Sequence, residues 1–155
     1  MDFSNLTEII DFAIANEIKA AEFYRSVSEQ ESFSGKKEMF LEFAAEERKH
    51  QALLEDLKAG KAGAQLEGYK FEWITDIKRS DYVDDIEYKP GMAYNEILLL
   101  ASKREEKALK LYNELLAKAE TDEAKKVFKM LCQEEAKHKL ALETMLDDFL
   151  AEAGD

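Results

Sequence analysis

Apolar residues recur along this chain at alternating steps of three and four, the spacing that places them on one face of an α-helix. Glycine and proline, the usual helix breakers, are concentrated between residues 60 and 91. The pattern therefore predicts four long helices and one long connection. We expect the helices at about Asn5–Gln30, at about Ser34–Ala59, from just after Pro90 to near Ala119, and from Thr121 or Asp122 to near Ala151.

The second half of the chain repeats the first. Adding 88 to a residue number takes Glu17 to Glu105, and no insertion is needed across the two halves. The same shift pairs Tyr24 with Tyr112, Glu47 with Glu135, and His50 with His138. Such an internal duplication predicts two copies of one antiparallel helical hairpin. Within each hairpin the two repeated glutamates are equidistant from the turn, so all four should lie at one level near the middle of the bundle.

Residues 60–90 form the long connection. If a two-fold axis relates the hairpins, the second and third helices run parallel, and the chain must cross the whole bundle between them. Five aromatic residues in this segment indicate that it packs on the bundle, and Asp81–Glu87 are compatible with a short helix. We therefore predict an all-α fold for residues 1–155. It is a single domain, a four-helix bundle of two duplicated hairpins joined by a long crossover between helices 2 and 3.

Composition narrows the classes of function. With 34 acidic and 22 basic residues the net charge is −12, which argues against nucleic acid or an anionic membrane as a partner. The single cysteine, Cys132, excludes an internal disulfide and a cysteine-rich metal site. No apolar run approaches the length of a membrane span, and the N-terminus lacks the basic start of a secretory signal. We therefore expect a cytoplasmic protein.

Six polar residues interrupt the otherwise apolar helix faces at one predicted level. They are Glu17, Glu47, His50, Glu105, Glu135 and His138. Any one of them alone could be a surface glutamate or a core histidine. Together, four buried carboxylates would cost several kcal/mol each without compensation, and these faces carry no lysine or arginine. Two divalent cations would balance the four negative charges, so the set predicts a di-metal site.

The ligand types and spacing narrow this site further. Two Glu-x-x-His pairs with two further glutamates form the di-iron or di-manganese carboxylate pattern of helical bundles, and zinc is also compatible. We expect Glu47 and Glu135 to bridge the two metals. The remaining residues would complete one metal each, Glu17 with His50 and Glu105 with His138.

The chain resembles the rubrerythrin-related branch of the ferritin-like superfamily over nearly all of residues 5–151. The resemblance rests on four segments: EIKAAEFY at Glu17–Tyr24, EERKH at Glu46–His50, EEKALKLY at Glu105–Tyr112 and EEAKH at Glu134–His138. It implies a ferritin-like bundle with two iron ions that react with hydrogen peroxide or dioxygen. It also implies a cytoplasmic protein that forms a homodimer or larger homo-oligomer.

Two departures from the family pattern affect the expected function. Full rubrerythrins carry a four-cysteine rubredoxin domain, whereas this chain has only Cys132, so we expect a separate reductant such as a rubredoxin-like protein. Rubrerythrins also carry an extra glutamate one turn beyond the helix 3 ligand, where this chain has Ala108, with Ala20 as its duplicate. The remaining ligand set is closer to that of bacterioferritin-type ferroxidase centres.

Three functions therefore stand as alternatives. The first is an oxidoreductase that reduces peroxide or dioxygen with an external donor, the second a ferroxidase or iron-handling protein that uses Fe(II), and the third a structural bundle with a vestigial metal site. Beyond the metal centre, no catalytic residue is predicted. We expect Tyr24 and Tyr112 to hydrogen bond ligating carboxylates. Glu46 and Glu134, beside the apolar faces, are either surface residues or supports of the ligands.

Overall fold

The computed structural model of the protein describes residues 6–30, 36–74 and 87–153. These ranges contain helices and no β-strand. The helices are α1 (Leu6–Ser28), α2 (Lys37–Lys58), α3 (Gly63–Leu66), α4 (Tyr94–Lys118) and α5 (Asp122–Ala153). The predicted all-α bundle is therefore confirmed, with α1, α2, α4 and α5 as its four long helices.

The boundaries of the long helices lie within a few residues of those predicted from the apolar pattern. At the start of α5, the Thr121 hydroxyl accepts a hydrogen bond from the Ala124 backbone N–H at 3.1 Å, which identifies Thr121 as the cap. The start of α4 is later than expected. Gly91 has a φ of +90° and Ala93 is extended, so the helix begins at Tyr94 instead of directly after Pro90.

The structure contains a short helix, α3, that was not predicted from the sequence. The expected helix starts at Asn5 and Ser34 lie outside the described residues, as does nearly all of the short helix considered at 81–87.

The order of the helices in space follows from two apolar clusters, one at each end of the bundle. One cluster joins the N-terminal parts of α1 and α5 to the C-terminal parts of α2 and α4; it includes Ile10, Leu54, Leu115 and Phe128. The other joins the opposite ends of the same helices; it includes Tyr24, Phe40, Leu98 and Leu142. Helices α2 and α4 therefore run parallel, as the predicted crossover requires. Helix α1 packs chiefly on α2, and α4 packs chiefly on α5.

Residues 69–72 of the crossover lie against α5, whereas Tyr88, near its end, hydrogen bonds Ser26 of α1. The Gln133 side chain accepts a hydrogen bond from the Glu72 N–H at 2.7 Å and donates one to the Lys70 carbonyl at 2.8 Å. The Tyr69 and Phe71 rings pack edge to face. Trp73 is an exception to the expected packing, because 83% of it is exposed. Within the described ranges, no helix is apolar over a stretch long enough to cross a bilayer.

Candidate metal centre

The six polar residues singled out in the sequence meet in the middle of the bundle, between the two apolar clusters. All four long helices contribute: Glu17 from α1, Glu47 and His50 from α2, Glu105 from α4, and Glu135 and His138 from α5. None of these residues is more than 3% exposed. The Glu-x-x-His spacing places each glutamate and histidine pair on one helix face, one turn apart.

These residues form two overlapping groups of potential metal ligands. The first group is Glu17, Glu47, His50 and Glu135, and the second is Glu47, Glu105, Glu135 and His138. Within each group, one ligand atom per residue lies within 4.8 Å of all the others. Glu47 and Glu135 belong to both groups, the positions where the sequence placed the bridging carboxylates.

Both histidines direct the same ring nitrogen at the carboxylates. The Nδ1 atom of His50 lies 2.9 Å from Glu135 Oε1 and 3.6 Å from Glu17 Oε2. The Nδ1 atom of His138 lies 3.0 Å from Glu47 Oε1 and 3.6 Å from Glu105 Oε1. Each residue of the set also has a buried side-chain atom that makes no hydrogen bond of normal geometry. Six such atoms in two overlapping groups fit two divalent cations, because buried polar atoms otherwise have partners.

Close carboxylates in a buried site hold protons unless cations are present. Burial, with the charges of Glu105 and Glu17, raises the pKa of Glu135 to about 8. Burial and the charge of Glu135 raise the pKa of Glu47 well above its usual range. Burial alone would lower the pKa of His138, but its contacts with the carboxylates of Glu105 and Glu46 raise it to about 10. The metal-free cluster therefore offsets its carboxylate charge with protons, which bound cations would replace.

Two buried tyrosines hold two of these carboxylates. The Tyr24 hydroxyl donates a hydrogen bond to Glu105 Oε1 at 2.6 Å, and the Tyr112 hydroxyl donates one to Glu17 Oε1 at 2.5 Å. Each tyrosine thus bonds a carboxylate of the other hairpin, so the two bonds fasten the hairpins together at the level of the site. The sequence predicted carboxylate acceptors, but it gave no indication that they lie in the opposite hairpin.

Glu46 also belongs to the surroundings of the site, although the sequence left open whether it is a surface residue or a support of the ligands. Its carboxylate hydrogen bonds Nε2 of His138, the ring nitrogen that faces away from the four buried carboxylates. Glu46 lies on α2 and His138 on α5, so only the packing of these two helices brings them together. Within the described ranges, Glu134, the duplicate of Glu46, has no hydrogen bond or ion pair with a histidine, and it accepts a hydrogen bond from Tyr69.

A cavity of about 460 Å³ opens between α1 and α4 and reaches the carboxylates of the site. Ala20 and Ala108, one on each helix, line it, and their small side chains keep the gap open. Its lining also includes four basic side chains: Lys19, Lys103, Arg104 and Lys107. The site is therefore buried between the helices but open to small molecules from this side.

Comparison with known proteins agrees with this architecture. The family model described as Rubrerythrin matches residues 8–146. A solved structure described as a hypothetical protein from Pyrococcus furiosus superposes with a TM-score of 0.70 at 26% sequence identity; the match covers 96% of this chain and 92% of that one. No match was found among curated proteins.

Proposed function

The chain belongs to the rubrerythrin family, and we propose that it is a di-iron carboxylate oxidoreductase that reduces hydrogen peroxide or dioxygen with electrons from an external donor. One observation carries this proposal: two groups of four buried ligands that share Glu47 and Glu135. Two shared carboxylates hold two metal ions close together, which is the arrangement of di-iron helical bundles.

In this proposal Glu47 and Glu135 would be shared by the two ions, and each ion would also be held by its own glutamate and histidine. These pairs are Glu17 with His50 and Glu105 with His138. Carboxylate and imidazole ligands without a thiolate suit iron or manganese, and zinc could also bind. Bound iron would supply the redox chemistry by alternating between the ferrous and ferric states.

The remaining roles belong to the residues around the ligands. Tyr24 and Tyr112 keep Glu105 and Glu17 in place, and burial holds the pKa of both phenols well above the usual range, so both remain hydrogen-bond donors. The cavity between α1 and α4 gives a small oxidant access to the site.

Three further expectations belong to the same proposal. The reductant would be a separate protein, such as a rubredoxin-like one, because Cys132 alone cannot build an iron–thiolate centre. The protein would act in the cytoplasm, with no nucleic acid or membrane as partner. It would assemble as a homodimer or larger homo-oligomer.

Metal analysis and stopped-flow kinetics test the proposal. After anaerobic loading with Fe(II), we expect about two irons per chain, and oxidation by peroxide much faster than by dioxygen if the protein is a peroxidase. Glu135→Ala should lose at least one iron, whereas Glu134→Ala, one residue away on the same helix, should keep both. A folded protein that holds less than about one iron per chain would refute the di-metal centre.

An iron-handling function is the main alternative, and a specific feature favours it. Ala108 occupies the place where rubrerythrins have a further glutamate, which leaves the six-residue set of a ferroxidase centre. Repeated oxidation of added Fe(II) with mineral formation, and no preference for peroxide, would support this alternative. A structural bundle with a vestigial site would instead bind little metal under all conditions.

A further inference from the structure

The duplication relates the two halves of the metal centre, but the outer contacts of the two histidines differ. Nε2 of His138 hydrogen bonds the carboxylate of Glu46 across the α2–α5 interface. A symmetric centre would bring Glu134 of α5 to Nε2 of His50 on α2. Glu134 is instead bonded to the Tyr69 hydroxyl at 2.9 Å, and its carboxylate lies 3.2 Å from Lys137 Nζ.

The outer side of His50 therefore has a different environment. Among the described residues, no carboxylate hydrogen bonds its Nε2 atom. His50, Gln65 and Glu134 are among the residues that line a cavity of about 220 Å³. The Nε2 atom of His138 is thus anchored by a carboxylate, and the Nε2 atom of His50 is not.

The crossover explains the difference. Residues 69–72 are fixed on α5 by the two hydrogen bonds of Gln133, which place Tyr69 next to Glu134. The residue equivalent to Gln133 in the first half is Ala45, which has no side-chain amide for such a contact. Residues 69–72 of the crossover are therefore fixed on α5, and Tyr69 engages the glutamate that a symmetric centre would bring to His50.

We propose that the two metal positions are unequal, the ion held by His138 being bound more tightly than the ion held by His50, because Glu46 orients and polarises His138 alone. This inference rests on the proposed di-metal centre. A carboxylate on the outer nitrogen fixes the tautomer of a ligating histidine and makes it a stronger donor, and removing such a partner typically weakens metal binding by about 10–100-fold. The His138 position would fill first, and the His50 position would hold the more exchangeable ion.

Titration of the metal-free protein with Co(II) against a competing chelator tests this inference. Two cations in a shared site repel each other, so two binding steps alone decide nothing; the tight step of each variant is the decisive quantity. Glu46→Ala should weaken the tight step by up to about 100-fold. Glu46→Gln, which keeps an acceptor for the Nε2 proton, should restore part of the loss. Glu134→Ala, the matched change at the duplicated position, should leave the tight step unchanged.

Three results have distinct meanings. Equal affinities in the wild type, or an unchanged tight step in a folded Glu46→Ala variant, would overturn the inequality while leaving the di-metal centre intact. An equal loss in Glu134→Ala would overturn the special role of Glu46. A wild-type protein that binds no second Co(II) would instead refute the proposed centre itself. Circular dichroism of each variant establishes that the helices are intact.

Discussion

Without metal, the protein should become less stable as the pH rises from 6 to 9, the opposite of the usual acid sensitivity. Several buried groups of the site bind protons more tightly in the folded chain than in the unfolded one, among them Glu135 and His138. Burial with nearby carboxylates raises the pKa of Glu135 from 4.5 to about 8. Burial opposes protonation of His138, but its contacts with Glu105 and Glu46 raise its pKa from 6.5 to about 10.

The sign of the effect is the same for both groups. Ionising Glu135 in the folded state costs free energy that accumulates between pH 4.5 and about 8. The stabilisation from protonated His138 is complete below pH 6.5 and is lost as the pH rises to about 10. At about 1.4 kcal/mol per pKa unit, the whole Glu135 shift corresponds to roughly 5 kcal/mol, of which roughly 3 kcal/mol is lost between pH 6 and 9. That is a large share of the ~5–15 kcal/mol that typically stabilises a folded domain.

Urea unfolding of the chelator-treated protein at several values between pH 6 and 9, followed by helical circular dichroism, measures this effect. Glu135→Gln is the matched control, since it keeps the shape of the side chain but cannot ionise. It should show a weaker dependence on pH and exceed the metal-free wild type in stability at pH 9. Metal added to the wild type should reverse the trend, because cations replace the protons. A free energy of unfolding that stays flat or rises from pH 6 to 9 would refute the reasoning.

Other parts of the structure give further expectations. Ala108→Phe, which fills part of the cavity between α1 and α4, should slow peroxide oxidation severalfold in stopped-flow experiments without loss of iron; an unchanged rate would place the approach route elsewhere. Lys139→Met should lower the free energy of unfolding in urea by about 3–5 kcal/mol, because the buried Glu143 carboxylate loses an ammonium 3.3 Å away. Adding Glu143→Leu should recover most of this loss, and no recovery would contradict the pairing. Burial and the charge of Glu135 raise the pKa of the Cys132 thiol to about 11. The thiol should therefore react with iodoacetamide at pH 8 roughly a hundredfold more slowly than in the unfolded chain. Equal rates would count against a shielded thiol.

Much of the architecture could be predicted because the internal repeat is visible in the sequence as identical residues at a fixed shift. The shift of 88 residues aligns Glu47 with Glu135 and His50 with His138, and helical periodicity then places these residues on inward faces. The repeat also required parallel second and third helices, which the two apolar clusters confirm. Periodicity and duplication can be read directly along a sequence, so they predict the helices and the residues that face the core.

The supporting contacts could not be predicted in the same way. Whether Glu46 reaches a histidine depends on the packing of α2 against α5, which no spacing along the chain encodes. The same holds for the hydrogen bond from Tyr112 to Glu17 of the other hairpin. The exposure of Trp73 shows a further limit, since an aromatic residue in a connection does not by itself reveal whether it finds a surface to cover.

Duplication by itself does not make the two metal positions of the proposed centre identical. The single crossover contacts the two hairpins differently, since residues 69–72 bind α5 and Tyr88 bonds Ser26 of α1. Here the contact is specified by a difference between the halves, Gln133 against Ala45, and its effect reaches the centre through Tyr69 and Glu134. The six ligand positions keep the symmetry of the repeat, because each is needed on both sides. The proposed inequality of two bound ions would therefore arise in the residues around the ligands, where the sequences of the two halves differ.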